Sequence, residues 1–173
     1  VIDIDIGLHG SDLRAAERTY QLVKQVSGRA GRSDNKGRAL IQTYQPEHPV
    51  VEAILKGNDD EFWASEAKQR ELACMPPFGK LVGIIISSSD FERAMSAANR
   101  LKNNTQALDI IGARAYGPAP APIARIKRRH RIRILVKSPR TTGIQDAVRK
   151  WVTNVSLKGD LRLSIDIDPQ SFY

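Results

Sequence analysis

The 173-residue chain is 41% hydrophobic and 27% charged, enough apolar side chain for a packed core and enough charge for an ordinary water-exposed surface. Lys and Arg number 27 against 19 Asp and Glu, a net charge of +8 that favours an anionic partner, nucleic acid before membrane surface. A single cysteine, Cys74, excludes an internal disulfide framework and any multi-cysteine zinc site, and no apolar run approaches the roughly 20 residues of a membrane span. With no signal peptide visible, the expected setting is a reducing cytoplasm without membrane contact.

Along the chain, "VIDIDIGL" opens without methionine in an extended apolar alternation. This predicts a strand over Val1–Ile6 and a piece of a longer protein. Residues 11–30 carry helical periodicity, with Leu13, Ala16, Tyr20 and Val23 on one stripe; Gly28 and Gly31 loosen the far end, and "SDNKG" reads as a turn. "RALIQTY", Arg38–Tyr44, predicts a second strand, so that strand, helix and strand form a βαβ unit, the tail of a larger α/β domain. "HPVVEAILKG" predicts a short helix with Pro49 in its first turn, and "DDEFWASEAKQRELAC" a longer one ended by Pro76-Pro77. A domain boundary is placed there, dividing residues 1–76 from 77–173.

The second half changes pattern. "KLVGIIISS" predicts a buried strand, and "SDFERAMSAANRLKNN" an amphipathic helix with Phe91, Met95, Ala98 and Leu101 inward and Ser89 with Glu92 at capping-box spacing. "ARAYGPAPAPIARIKRRHRIRILVK" holds two or three strands broken by Pro118, Pro120 and Pro122. "PRTTGIQDAVRKWVTNV" predicts a helix with Ile144, Val148, Trp151, Val152 and Val155 inward, and "LRLSIDID" a final strand, apolar at 161, 163, 165 and 167. The order βα-ββ-αβ predicts a ferredoxin-like α+β sandwich, which by itself says little about activity.

Two stretches carry chemistry. In "QVSGRAGR", Gln25–Arg32, a glycine-loosened helix end can present Arg29 and Arg32 on one side. Each guanidinium is planar, permanently charged and able to grip phosphate oxygens bidentately. An arginine reaching a γ-phosphate contributes about 10³–10⁵ in rate in phosphoryl transfer. Arginines near the negative end of a solvated helix are also common, and spacing alone does not separate the two readings.

"RIKRRHRIR", Arg125–Arg133, packs six Lys and Arg into nine residues, with His130. Extended, it sets Arg125, Lys127, Arg129, Arg131 and Arg133 on one parity and Ile126, Ile132 and Ile134 on the other. With a turn near Arg128-Arg129, a hairpin would carry isoleucines inward and arginines outward. Such a strip, Arg128 included, neutralises phosphates without reading bases. The competing explanation is a basic edge strand that blocks edge-to-edge pairing. Only Tyr116 lies nearby, so stacking on single-stranded bases has little support.

"QVSGRAGR" resembles motif VI of superfamily 2 helicases. More closely, "DIDIGLHGSDLRAAERTYQLVKQVSGRAGR", the later "QTYQPEHPVVEAI" and the terminal "DIDP" resemble the primosomal protein N′ family, the bacterial replication-restart helicases. The resemblance runs through nearly the whole chain. It implies a RecA-like second helicase lobe over 1–76 and a ribosomal-protein-like C-terminal domain over 77–173. It also implies that Arg32 is an arginine finger, that Arg29 is a second phosphate or coupling contact, and that Gln25 and Gly28 lie by the nucleotide. Residues 1–12 would correspond to motif V, which couples nucleotide to DNA.

The resemblance further implies ATP and magnesium bound by another lobe, zinc held elsewhere in the full-length protein, and unwinding of 3′→5′ polarity. The implied partners are forked or branched DNA, other primosome proteins and single-stranded DNA-binding protein, whose tail would meet Gln145 and Arg140. Thr142 and Gln145 also have capping-box spacing, an equally good account of Gln145. The remaining candidates read as structural: Asp166 and Asp168 alternate with isoleucines, His9, His48 and His130 are scattered, Cys74 reads as a small buried hydrophobe, and Trp63 and Trp151 read as core.

The competing function is a non-catalytic, ribosomal-protein-like nucleic-acid-binding module, which would have no use for a γ-phosphate contact. The chain contains no G-x-x-x-x-G-K-[ST] phosphate loop, since Gly79-Lys80 lacks the glycine spacing and the hydroxyl. No metal or nucleotide cofactor is therefore expected in these 173 residues alone. The purified chain is expected to show no DNA-stimulated ATP hydrolysis above a blank; phosphate release that rises with added DNA would contradict this.

Overall fold

The computed structural model describes residues 3–8, 13–30, 38–153 and 155–171. The expected Ser33–Gly37 turn, the helix start at Ser11, Gly31 and Arg32 lie outside them. The chain forms two compact units, Val1–Ala67 and Lys68–Tyr173.

The first unit is helical. After α1 (Asp5–Leu8) come α2 (Ala15–Arg29), α3 (Pro49–Lys56) and α4 (Asp59–Leu72), the last running on into the second unit. His48 caps α3 by accepting the Val50 N–H on Nδ1 at 3.2 Å, with Pro49 in the first turn where a missing N–H costs nothing. Asn58 caps α4 by accepting the Glu61 N–H on Oδ1 at 3.2 Å, and its side-chain amide donates to the Glu61 carboxylate at 3.2 Å. Tyr20 stacks on Phe62 with ring centroids 3.9 Å apart. Its hydroxyl donates to Asp59 at 2.6 Å, and burial followed by that carboxylate pushes the phenol up to about 12. Trp63, expected in the core, is 38% exposed and meets Tyr20 and Phe62 edge-on.

The expected βαβ unit is not present among the described residues. Asp5 and Ile6 belong to α1, and 38–45 is irregular. One ladder-like bond, Ile4 N–H to Gln42 O at 3.1 Å, joins the two segments. The buried Asp5 carboxylate instead takes the Thr43 hydroxyl at 2.7 Å and the Tyr44 N–H at 2.8 Å. A side-chain acceptor thus captures the Tyr44 N–H that a strand would have offered a neighbour, and an isolated pair of strands is marginal without a sheet to join.

The second unit follows the expected order β1 (Gly79–Ser88), α5 (Phe91–Lys102), α6 (Gln106–Asp109), β2 (Arg114–Ile126), β3 (Arg129–Pro139), α7 (Ile144–Thr153) and β4 (Arg162–Ile167). The sheet order is β2-β3-β1-β4 with every neighbour antiparallel, the arrangement of a split βαβ sandwich. Val82, Ile84 and Ile86 of β1 and Ile132, Ile134 and Val136 of β3 are buried on one sheet face. Against them pack Ala94, Ala97, Ala98 and Leu101 of α5 and Ile144, Ala147, Val148 and Trp151 of α7. Both sets follow helical spacing.

The cap of α5 is Asp90, accepting the Arg93 N–H at 3.1 Å, one residue later than the expected Ser89. Phe91 consequently sits at the helix start, 37% exposed, with its edge toward His130. Cys74 is half-buried beside Ser138 rather than part of the core.

The prolines do not break β2. It is an edge strand, where a missing N–H faces outward, and register shifts absorb the irregularity. One shift falls at Gly117, whose φ of +99° and a Cβ position 2.9 Å from Arg133 O admit only glycine.

Trp151 is fully buried and its indole N–H donates to Leu101 O at 3.0 Å, tying α7 to the end of α5. Trp151→Ala is expected to lower unfolding free energy by about 3–5 kcal/mol, measured by urea denaturation. A loss below about 1 kcal/mol would show that the sandwich does not depend on this contact.

Candidate nucleic-acid interface

Because alternate residues of a strand point to opposite faces, burying Ile132, Ile134 and Val136 places Arg129, Arg131, Arg133 and Lys137 on the face away from α5 and α7. The pairings Ser87↔Arg162, Ile85↔Ser164 and Gly83↔Asp166 add β4's outward residues to that face. A concavity of about 400 Å³ opens there, with Ile85 and Ile126 in its lining beside Lys127, Arg129, Arg131 and Arg162. A second, of about 120 Å³, lies between Arg131, Arg133, Asp166 and Pro169. Cations thus converge from β3, β4 and the hairpin turn onto the sheet face opposite α5 and α7.

The turn falls at Lys127-Arg128, one residue before the expected place. Both residues have positive φ, +48° and +63°, the signature of a two-residue type I′ hairpin. In such a hairpin the flanking residues Ile126 and Arg129 form a pair and share a face. This corrects the expected parity: Ile126 is 41% exposed on the arginine side, and Arg125 pairs with His130 on the other. An unbroken two-residue alternation does not survive the turn. Arg125, Lys127 and Arg128 are exposed, whereas Arg129, Arg131 and Arg133 are half-buried.

The cations differ in what they are free to do. Arg129 donates to Ser87 O at 2.8 Å and to Asp160 O, and its guanidinium lies 3.6 Å from the Asp160 carboxylate. Arg131 donates to Ile123 O at 3.1 Å. Burial pulls Arg133 below the ordinary guanidinium range, though such a group stays charged at neutral pH.

Asp160 is a hub that sequence patterning missed. Its carboxylate accepts the Ser89 N–H at 2.7 Å, the Ser89 hydroxyl at 2.8 Å and the Ser88 hydroxyl at 2.9 Å, with Arg93 and Arg129 beside it. Those hydrogen bonds, Ser89's first, hold it far below the usual carboxylate range. The hub fixes the end of β1 and, through Arg129, the start of β3, and so sets the pitch of the basic face. Arg162 was also missed; its position out of phase with Leu161, Leu163 and Ile165 was the available signal.

In the first unit, Gln25, Gly28 and Arg29 occupy the last two turns of α2, all exposed or half-buried. Arg18, Leu22, Gln25 and Arg29 make one stripe opposite the buried Tyr20 and Val23, and Leu22 is 61% exposed. Arg32 lies outside the described residues.

Arg140 and Gln145 are exposed, at the end of β3 and on the first turn of α7. The Thr142 hydroxyl turns back to Pro139 O at 2.8 Å and to Ser138 at 3.1 Å. Asp168 accepts the Leu81 N–H at 2.9 Å and returns its own N–H to Leu81 O at 2.7 Å, anchoring the end of β4. No group of three potential metal-binding side chains occurs among the described residues, and no helix there is long and apolar enough to cross a membrane.

Residues 71–170 match the family described as primosomal protein N C-terminal domain. A replication restart protein PriA of Rickettsia felis is 35% identical over all 173 residues, which cover 26% of its own length. The protein of that name in Treponema pallidum is 35% identical over 95% of this chain and 25% of its own. That of Bacillus subtilis is 31% identical over 98% of this chain and 21% of its own. The chain thus spans about a quarter of the length of these relatives.

Asp160→Asn should lower the melting temperature by on the order of 5 °C at pH 7. The sign follows from the depressed folded-state pKa: Asp160 stabilises above its ordinary 3.8, and that contribution is lost as pH falls from there toward the lower folded value. The gap between parent and variant is therefore expected to be constant from pH 7 to about 5 and to close below about 4. A gap that widens on acidification would remove the ionised hub.

Proposed function

The chain belongs to the PriA family of replication restart proteins, and on that premise we propose that its C-terminal unit holds nucleic-acid backbone on the helix-free face of the sheet. The observation that carries this reading is the convergence of Lys127, Arg131 and Arg162, from the turn and two different strands, around one shallow concavity. Guanidiniums spread over a surface rather than along one edge match the two-dimensional spacing of phosphates, and binding of this kind is strong, salt-sensitive and indifferent to sequence. Arg129, spent on Ser87 and Asp160, serves mainly to position its neighbours. Arg125 and Arg128, exposed at the hairpin end, and the half-buried Arg133 extend the field.

The whole protein, on this reading, is a cytoplasmic ATP-dependent 3′→5′ DNA helicase that recognises stalled or branched forks and begins primosome assembly. ATP and magnesium are held by a lobe outside this chain, and zinc by cysteines elsewhere. Arg29, at the end of α2, and Arg32 answer the γ-phosphate, with Gln25 and Gly28 beside the nucleotide. The exposed stripe of Arg18, Leu22, Gln25 and Arg29 supports a surface meant to be covered by a nucleotide-bearing lobe. Gln145 and Arg140 take the acidic tail of single-stranded DNA-binding protein, and other primosome proteins join at the fork.

Arg131→Gln with Arg162→Gln should weaken binding of the chain to a forked oligonucleotide by at least tenfold at about 0.1 M salt. It should also reduce the slope of log K against log salt by about 0.9 for each phosphate no longer neutralised. Fluorescence anisotropy across a salt series measures both. Unchanged affinity and slope would move the nucleic acid off this face.

A further inference from the structure

The sheet face opposite α5 and α7 is not uniformly charged, and the register shows how its side chains are arranged. Tyr116, Leu135, Gly83 and Asp166 lie side by side on β2, β3, β1 and β4. The next row holds Arg133, Ile85 and Ser164, and the one after it Arg131, Ser87 and Arg162. Rows are two residues apart along the strands, about 7 Å, and neighbouring strands are about 4.8 Å apart. Apolar and cationic side chains therefore alternate over the surface. Tyr116 is 47% exposed and Ile126, at the hairpin end, 41%, while Ile85 and Leu135 are half-buried.

Tyr116 stands well before the basic run in sequence, but the ladder sets it opposite Leu135, one row from Arg133. The Lys137 ammonium lies 5.4 Å from the ring centroid and donates to Ala73 O at 2.9 Å. A cation that is itself anchored thus steadies the ring, and about half of the residue stays open to solvent.

An exposed ring set among aliphatic side chains gains little from a duplex, which keeps its bases inside and offers a protein surface mainly sugars and phosphates. An unpaired strand offers both chemistries at once. Its phosphates suit the guanidiniums, and its splayed bases suit the ring and the isoleucines. Stacking of this kind tolerates any base, because every base has a π-face. The row spacing is also comparable to that of successive nucleotides on an extended strand.

On the premise that this face holds nucleic-acid backbone, we propose that it takes unpaired nucleotides, with one base stacked on Tyr116 and the following phosphates running toward Arg131 and Arg162. Tyr116 then distinguishes single strand from duplex, and the arginines do not.

Fluorescence anisotropy of the 173-residue chain with a short single-stranded deoxyoligonucleotide of mixed sequence, and with the duplex of the same length, tests this. Tyr116→Leu keeps an apolar cover on the sheet and removes the ring. It is expected to lower single-strand affinity about five- to tenfold and to leave duplex affinity unchanged, which also shows that the variant is folded. The line of log K against log salt should shift down without changing slope, because stacking releases no counterions. Tyr116→Phe, which keeps the ring, is expected to bind both as the parent does.

A Tyr116→Leu variant that binds single strand as tightly as the parent, or that loses single strand and duplex equally, would overturn the proposal. Neither result bears on Arg131 and Arg162, whose replacement is read as a change of slope.

Discussion

The second unit depends on the burial of alternate residues of β3 and β1 beneath two helices. Ile132, Ile134 and Val136, with Val82, Ile84 and Ile86, are removed from water by the alanine-rich face of α5 and by α7 around Trp151. At about 25 cal/mol per Å² of apolar surface, this burial outweighs any preference of the intervening arginines. Once those positions are inside, a two-residue repeat leaves 129, 131 and 133 nowhere to go but the opposite face. The basic surface is the other side of the hydrophobic core.

Charge on that surface is organised as well as concentrated. Asp160 fastens Arg129 and Arg93 while accepting three hydrogen bonds from Ser88 and Ser89, so one carboxylate aligns β1, β3 and the approach to β4. Lys127 and Arg162 remain available to an anionic partner. Like-charged side chains so close together are tolerated because the sheet fixes their backbones and solvent screens their outer ends. A partner carrying phosphates relieves the remaining repulsion and releases counterions, and the favourable term then falls as salt rises.

The βαββαβ order, both main helices, the hairpin and the core positions Ala98, Leu101, Ile132, Ile134, Ile144, Val148 and Trp151 were legible because each depends on local periodicity that burial then enforces. Phe91, Ile165 and Ile167, expected inward, are instead partly exposed, and Ala94, Ala97 and Ala147 were not singled out. What failed depended on single hydrogen bonds or on a turn. Ile126 and Arg125 changed faces because a two-residue turn makes residues 126 and 129 partners. Val1–Ile6 and Arg38–Tyr44 look like strands, but among the described residues Asp5 and Ile6 are helical and the Asp5 carboxylate takes the Tyr44 N–H for itself. Asp160 was illegible because its serine partners lie 72 and 71 residues away in sequence, at the end of one predicted element and the start of the next, where no local period points to them. The arginine motif Gln25–Arg32 was read by resemblance, not by physics: an exposed arginine at a helix end, such as Arg29, has no local feature that distinguishes a γ-phosphate contact from a solvated terminus.

Amide chemical shifts of the chain, followed while a short oligonucleotide is titrated in, test the central claim most directly. If backbone is held on the helix-free face, the shifts that move are those of Ser87, Arg131, Arg162 and Ser164, while Ala94, Ala98, Val148 and Trp151 stay still. Movement confined to α5 and α7, with the β3 and β4 amides unchanged, would contradict it.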